Sequence, residues 1–196
     1  MNRVVDLHCH SRYSDGTLNI NDLVTLAKSR GVELLSLTDH DEVSGIPEAR
    51  KHCAEQALAF VAGVEISSEW RDMSIHIVGL RVDDKNAVLT SLLAGARKAR
   101  DDRARRMDDA FEAVGIRGAL AGASAYAPNP DLISRTHFAR HLVDSGVCGS
   151  VGEVFTRFMK PGKPGYVAHQ WVAMQAAIDA IHAAGGRAVL AHPARY

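Results

Sequence analysis

The sequence predicts an α/β fold built on a mostly parallel sheet or barrel, and three observations support this prediction. Strand-like apolar runs alternate with helical segments through residue 82, an order that favours parallel strands joined by right-handed crossovers. A helical stretch then interrupts the alternation, which resumes near the end of the chain. Five of the ten histidines stand at or just beyond the ends of strand-like runs, where chance placement would scatter them.

The first part of the chain supplies most of the predicted strands and two helices. Asn21-Asp22 are expected to cap a helix that Gly31 stops. Pro47 suits the first turn of a second helix. Arg71-Asp72 indicate a turn, so the strand that follows is expected to form a hairpin with the one before it. The predicted strands here are Val4–His10, Glu33–Thr38, Ala59–Ile66 and Ser74–Val82.

Around residue 83 the pattern becomes helical. The elements expected from there on are helices Asp84–Met107, Thr136–Ser145, Val151–Phe158 and Trp171–Ala184, and a strand Arg187–Ala191. His169, just before the last helix, is expected to be a cap-region residue. The chain is therefore divided into a first barrel part (1–82), a helical insert or lid (83–165) and a resumed, truncated barrel part (166–196).

The composition limits the classes of protein to which the chain can belong. With 46% hydrophobic and 23% charged residues, 196 residues suffice for one sizeable core or a core with a smaller appendage. Lys+Arg and Asp+Glu both number 23, so net charge favours neither a nucleic-acid coat nor a membrane surface. We find no signal peptide and no apolar run near ~20 residues. Three widely separated cysteines fit reduced thiols in a cytoplasmic protein, and no protein partner is implied.

The first candidate metal ligands follow the first two strands. His8 and His10 are two residues apart on a strand, so both imidazoles project from one face and can hold one ion. This pair alone is weak evidence, but it becomes specific when Asp15 and His40 follow. Asp15 is alternatively a turn residue, and His40 alternatively caps a helix.

Three further candidates complete a dispersed site. Glu65 follows an apolar run, and a buried carboxylate is costly unless it is paired or bound to metal, so a bridging role between two cations is expected. His76 is alternatively a hydrogen-bonded core histidine, and His192, before Pro193, is alternatively structural. Imidazole and carboxylate ligands suit zinc, manganese and iron. Together the seven residues predict a polynuclear metallohydrolase.

The insert carries a second cluster. Arg135 and His137 stand with Arg140 and His141 at a predicted helix start, and this density of cationic and donor groups predicts a phosphate site. The alternative is a solvated helical face.

These motifs, in this order, resemble the PHP (polymerase and histidinol phosphatase) family of metal-dependent phosphoesterases. The metal motifs that carry the resemblance are VDLHCHSRYSDG, SLTDHD, GVEIS, IHIVGL and VLAHP. In the insert, ISRTHFARHLVDSG and KPGKPGYV resemble the branch that contains 3',5'-nucleotide bisphosphate phosphatases and 5'-to-3' exoribonucleases. The resemblance implies a distorted (β/α)7 barrel with an inserted helical lid.

The resemblance also implies a ligand scheme of two or three divalent ions (Mn, Zn or Fe). One ion would take His8, His10 and Glu65, a second Glu65, His76 and His192, and a third Asp15 and His40. Such ions can lower the pKa of a bridging water that attacks phosphorus. Glu65 and His192 are expected to be catalytic. Arg135, His137 and the loop residue Lys163 are expected to contact substrate phosphate.

One departure concerns the family's last metal motif, a Gly-Ser-Asp-x-His-like segment that has no counterpart here. We therefore expect the barrel to be C-terminally incomplete in this chain. The expected activity is hydrolysis of a phosphate monoester of a small nucleotide, a 3',5'-bisphosphate in particular. The alternatives are a 5'-to-3' exoribonuclease acting on short RNA, or an inactive metal-binding or interaction module. A histidinol-phosphate phosphatase is less favoured because the insert matches the nucleotide branch.

Overall fold

The computed structural model describes residues 3–127, 129–168 and 171–196. The chain forms two compact units, one of residues 1–96 and 171–196 and the other of residues 97–170. The domain boundaries at 83 and 165 that the sequence predicts stay predictions, and His169 lies outside the described residues.

The order of elements follows the predicted alternation. The strands are β1 (Val5–Cys9), β2 (Leu34–Leu37), β3 (Ala59–Trp70), β4 (Met73–Leu80), β5 (Val172–Ala173) and β6 (Arg187–Leu190). The α-helices are α1 (Ile20–Ser29), α2 (Ile46–Glu55), α3 (Ala87–Glu112), α4 (Ala119–Ser124), α5 (Arg135–Asp144), α6 (Val151–Val154) and α7 (Met174–Ala183). A π-helical turn, Phe155–Met159, continues α6, and short 3₁₀ turns cover Pro130–Leu132 and Pro193–Arg195.

The strands form a curled half-barrel sheet in the first unit, with the order β1-β2-β3-β4-β6 and β5 beside β3. The pairs β1–β2, β2–β3 and β3–β5 are parallel. The β3–β4 hairpin is antiparallel as predicted, and β6 pairs antiparallel with β4. Strand β4 is therefore the one that runs against its neighbours, and the sheet is mostly parallel, as expected. The (β/α)7 strand count stays a prediction.

Local chemistry explains the element boundaries. Asn19, two residues earlier than expected, caps α1, because its side chain accepts a hydrogen bond of 2.8 Å from the Asp22 backbone N–H. Pro47 stands in the first turn of α2, where a missing N–H costs nothing. The last helix begins at Met174 rather than Trp171, because residues 172–173 pair with β3.

Each unit has its own apolar core. In the first, Leu35, Leu37, Val64 and Ile66 of the central strands are buried against α1, α2 and α7. In the second, Phe111 stacks on Phe138 with ring centroids 5.8 Å apart, among other buried apolar side chains. Of the helices that the structure describes, none has the length and apolarity required to cross a membrane.

Candidate metal centre

The centre is organised around Glu65, near the middle of β3. Its side chain is 1% exposed, and its backbone is hydrogen-bonded into the neighbouring segment on both sides. The Glu65 N–H donates to the Asp39 carbonyl (3.2 Å), and the Glu65 carbonyl accepts from the Asp41 N–H (2.9 Å). His40, just after β2, therefore lies directly opposite Glu65, with which it forms an isolated parallel β-bridge.

Five imidazole rings surround the Glu65 carboxylate. Ring nitrogens of three histidines approach Oε2, and those of two approach Oε1. The Oε2 distances are 3.1 Å to His8 Nε2, 3.1 Å to His10 Nε2 and 3.3 Å to His40 Nδ1. The Oε1 distances are 3.0 Å to His76 Nδ1 and 3.1 Å to His192 Nε2. Neighbouring ring centroids in this set are 4.6 to 5.9 Å apart, so the rings form one continuous cluster.

Asp15 extends the cluster on one side. Its two carboxylate oxygens lie 3.9 Å from His10 Nδ1 and 3.9 Å from His40 Nε2. The turn that carries Asp15 is closed by backbone hydrogen bonds from Ser14 and Gly16 to the Ser11 carbonyl, 3.1 and 3.0 Å. The structure therefore brings together all seven predicted metal ligands within the first unit.

Strand direction places His76 differently from the way the sequence suggested. From the sequence, His76 is expected at or just beyond the end of a strand-like run, but it lies within β4, opposite Ser67 of β3. Because β4 runs antiparallel to β3, the first half of β4 reaches the edge where parallel strands end. His76 therefore lies beside the other candidate ligands, although it is inside a strand rather than at a strand end.

His192 reaches the same edge through a tight turn. The Ala191 N–H donates to the His76 carbonyl (3.0 Å), which extends the β4–β6 pairing to the residue before His192. His192 itself adopts a left-handed backbone, φ 31° and ψ 58°, a conformation uncommon for residues other than glycine. This turn directs the chain into Pro193–Arg195 while the ring stays on Glu65.

Electrostatics keep Glu65 ionised. Burial alone would raise the pKa of its carboxyl, but hydrogen bonds from His10, His76 and His8 hold that pKa well below its ordinary value. For His10, burial acts to lower the pKa, and the stronger combined effect of Glu65 and nearby carboxylates raises it. Cys9 differs, because burial and then Asp6 raise the pKa of its thiol to about 12. Its Sγ donates to the Ser36 carbonyl (3.2 Å), so Cys9 is a protonated core thiol.

Divalent metal ions explain this arrangement of ring nitrogens and carboxylate oxygens better than hydrogen bonding alone does. A carboxylate offers about four lone-pair positions, yet five ring nitrogens converge on this one. The separations of 3.0 to 3.3 Å are also close to the roughly 3.3 Å expected between two ligands of one tetrahedral ion with ~2.0 Å bonds. Imidazole and carboxylate are borderline ligands that suit such ions.

Three groups of side chains offer ligand atoms close enough to share an ion. They are His8, His10 and Glu65; His10, Asp15 and His40; and His40, Glu65 and His76. The first equals one set implied by the family resemblance, whereas the other two include His10 or His40 where the resemblance implied other partners. His10, His40 and Glu65 each occur in two groups, which is typical of a cluster of adjacent ions rather than of separate sites.

A buried network behind the cluster was not singled out from sequence. Asp39, between the strand end and His40, is 2% exposed and accepts hydrogen bonds from Ser11 and Ser14. Burial raises the pKa of the Asp39 carboxyl, and the hydrogen bonds from Ser14 and Ser11 oppose that shift. The polar turn sequence SRYSDG was the available signal, but serine burial cannot be read from it.

The predicted substrate contacts lie in the second unit. Arg135 is the first residue of α5, with its guanidinium carbon 5.7 Å from the centre of the Phe155 ring. His137 is completely buried, and its Nδ1 accepts from the Ser134 backbone N–H (3.1 Å), so the ring caps the helix. Lys163 is exposed in the loop after the π-helical turn. Their contacts with substrate stay predictions.

The chain belongs to the PHP domain family, whose model matches residues 6–184. This membership agrees with the resemblance noted from the sequence motifs. It accounts for the arrangement of histidines and carboxylates at one edge of a curled sheet.

Two relatives and one solved structure show which members of the family this chain is similar to. The chain is 47% identical over 192 residues to a 3',5'-nucleoside bisphosphate phosphatase from Chromobacterium violaceum, covering 98% of this chain and 67% of the relative. It is 42% identical over 196 residues to a 5'-3' exoribonuclease from Haemophilus influenzae, covering 100% and 71%. The crystal structure of a protein from Bifidobacterium adolescentis, assigned by inference as a metal-dependent phosphoesterase, superposes with a TM-score of 0.88 at 29% identity, covering 97% of this chain and 67% of that one. The chain thus spans about two thirds of the length of these relatives. Their names support the conclusion that the chain is a hydrolase.

We predict that Gly16→Ala destabilises the protein by about 1–3 kcal/mol, the usual cost of overpacking. A Cβ at residue 16 would lie 2.4 Å from the His10 backbone oxygen, so the turn between His10 and Asp15 would have to shift. Chemical denaturation measures the change. Gly95→Ala in α3 is the matched control, since nothing lies within 4 Å of its Cβ position; it should stabilise by about 0.5–1 kcal/mol. Equal effects of the two substitutions would contradict the prediction.

Proposed function

We propose that the protein hydrolyses a phosphate monoester of a small nucleotide, in particular a nucleoside 3',5'-bisphosphate, with the help of two or three divalent ions of manganese, zinc or iron. The observation that carries the proposal is the convergence of five histidines on one buried carboxylate. The 47% identity to a bisphosphate phosphatase supports the substrate class. We also infer a distorted (β/α)7 barrel.

The side chains that would hold the ions are those of the cluster. Glu65 is placed to share its two oxygens between ions, because three histidines approach one oxygen and two approach the other. Asp15 and His40 would serve a further ion beside these. When bound, such ions activate water and neutralise charge on phosphoryl oxygens. No covalent nucleophile from the chain is required.

The chain's own contribution is rigid positioning. Glu65 is excluded from water, its backbone is hydrogen-bonded to Asp39 and Asp41, and five imidazoles contact its oxygens, which limits the freedom of the side chain. We propose Glu65 and His192 as the central catalytic pair, since His192 Nε2 reaches Oε1 of Glu65. We propose Arg135 for the substrate phosphate, because a guanidinium binds phosphate bidentately. The buried, capping ring of His137 makes that residue the weaker candidate.

The function is tested by measuring orthophosphate release from adenosine 3',5'-bisphosphate by the purified protein in the presence of Mn²⁺. We expect release that a chelator abolishes and that added Mn²⁺ restores, since the ligands must be loaded. Phosphate release that survives thorough removal of metal would contradict the proposal.

The second candidate is a 5'-to-3' exoribonuclease, favoured by the 42% identity to an enzyme of that name. A short 5'-phosphorylated oligoribonucleotide, assayed beside the free bisphosphate at equal concentration, separates the two. Mononucleotides released in order from the 5' end would favour the exoribonuclease. Binding of Mn²⁺ with turnover of neither substrate would favour an inactive metal-binding module.

We predict that Glu65→Ala removes more metal than His40→Ala. A bridging carboxylate serves two ions and offsets their mutual repulsion, whereas one imidazole contributes one bond. Elemental analysis of the purified variants gives the metal-to-protein ratio. His52→Ala is the control, because His52 lies on α2 beside Glu48 and Glu55, away from the cluster, and should leave the ratio unchanged. Equal loss in the Glu65 and His40 variants would argue against bridging.

We predict that Arg135→Lys lowers turnover of a 3',5'-bisphosphate by roughly 10-fold, the value of a lost charged hydrogen bond, and leaves metal content intact. The loss should be smaller for a simple monoester if Arg135 binds the second phosphate. Arg105→Lys is the control, because Arg105 is an exposed arginine of α3 that pairs with Asp101, and it should leave turnover of both substrates unchanged. Equal loss on both substrates would place Arg135 at the scissile phosphate, and no loss on either would favour the solvated helical face.

A further inference from the structure

Asp39 stands where two parts of the metal cluster meet. Its backbone carbonyl accepts the Glu65 N–H (3.2 Å), which ties it to the central carboxylate. Its side chain points the other way, into the turn that follows β1. Asp39 thus contacts both the strand that presents Glu65 and the turn that presents Asp15.

The side-chain contacts of Asp39 are short and fully enclosed. Oδ1 accepts from the Ser11 backbone N–H (2.8 Å) and the Ser14 hydroxyl (2.5 Å), and Oδ2 accepts from the Ser11 hydroxyl (2.7 Å). Ser11 and Ser14 are 0% and 1% exposed. Three hydrogen bonds to one buried carboxylate are individually stronger than neutral ones, because the acceptor is charged.

These contacts fix the two ends of a short segment. Ser11 follows His10, and Ser14 precedes Asp15, so the Asp39 carboxylate holds both neighbours of the two ligands. The Ser11 hydroxyl also accepts from the Tyr13 N–H (3.1 Å), which orders the middle of the turn. Asp15 itself is partly exposed and touches its partners only at 3.9 Å. Its position therefore depends on the turn rather than on its own contacts.

We propose that Asp39 is a positioning residue that, through Ser11 and Ser14, sets the Asp15–His40 side of the metal cluster and so determines the affinity for the ion held there. The proposal rests on the proposed metal-dependent function. Asp39 is not itself among the candidate ligands, because both of its oxygens face the serines. Residues that orient metal ligands from behind commonly change metal affinity 10- to 100-fold when altered.

The test titrates chelator-stripped protein with Mn²⁺ by calorimetry. We expect Ser14→Ala to lower the affinity for the ion at the Asp15–His40 side roughly 10-fold, and Asp39→Asn to lower it by up to roughly 100-fold. The affinity for the other ions should be unchanged. Ser36→Ala is the matched control, because Ser36 is also a buried serine, on β2, whose hydroxyl has no hydrogen-bond partner among the described residues. It should bind Mn²⁺ like the unmodified protein.

A double-variant cycle separates positioning from general destabilisation. If Asp39 acts through Asp15, adding Asp39→Asn to Asp15→Asn should cause no further loss of Mn²⁺ affinity. Additive losses, or an equal loss in Ser36→Ala, would overturn the proposal, as would unchanged binding in Ser14→Ala. Ser14→Ala decides the matter if Asp39→Asn does not fold. Absence of Mn²⁺ binding by the unmodified protein would instead overturn the proposed metal function.

Discussion

The burial of one carboxylate, that of Glu65, is the constraint on which the rest of the centre depends. An ionised carboxylate withdrawn from water costs several kcal/mol unless positive charge or hydrogen-bond donors replace the lost hydration. Here that replacement comes from five imidazoles drawn from four separate chain segments. The fold of the first unit is therefore tied to the cluster, because the strands that pack in the core must also bring each histidine ring to Glu65.

The directions of the strands bring these histidines to Glu65 with few elements. Parallel strands β1, β2 and β3 bring their carboxyl ends to a common edge, the usual place for sites in α/β folds. The antiparallel β4 then returns through the same edge, so that His76 lies there without any need for a crossover helix. Strand β6, antiparallel to β4, again runs in the direction of the first three and delivers His192. Strands β4 and β6 thus add His76 and His192 to the five ligands that the parallel strands and their loops supply.

Much of this arrangement was predictable from sequence, because it rests on periodic and short-range signals. Strands β1 to β4 and β6 and the β3–β4 hairpin follow from the apolar runs, and the candidate ligands follow from the histidines and carboxylates in and near those runs, whereas β5 was predicted to be helical. What could not be predicted depends on tertiary contact. The burial of Ser11 and Ser14 arises only when β2 lies beside β1, and the capping role of His137 arises from a helix end within a separate core. The antiparallel course of β4 likewise gives His76 a position that the carboxyl-end rule does not explain.

The same contacts tie the geometry of the centre to the packing of the fold. Glu65 is held by backbone hydrogen bonds to Asp39 and Asp41, and the turn that carries Asp15 is held by the Asp39 carboxylate. Where ligands are already in place, the free energy of metal binding is not spent on ordering loops, and small displacements of a ligand are resisted by the packed core. Zinc-finger domains behave in the opposite way, because their folding depends on the metal. In the first unit, the apolar core between the sheet and its helices keeps the strands in place, and the positions of the cluster's side chains follow from that packing.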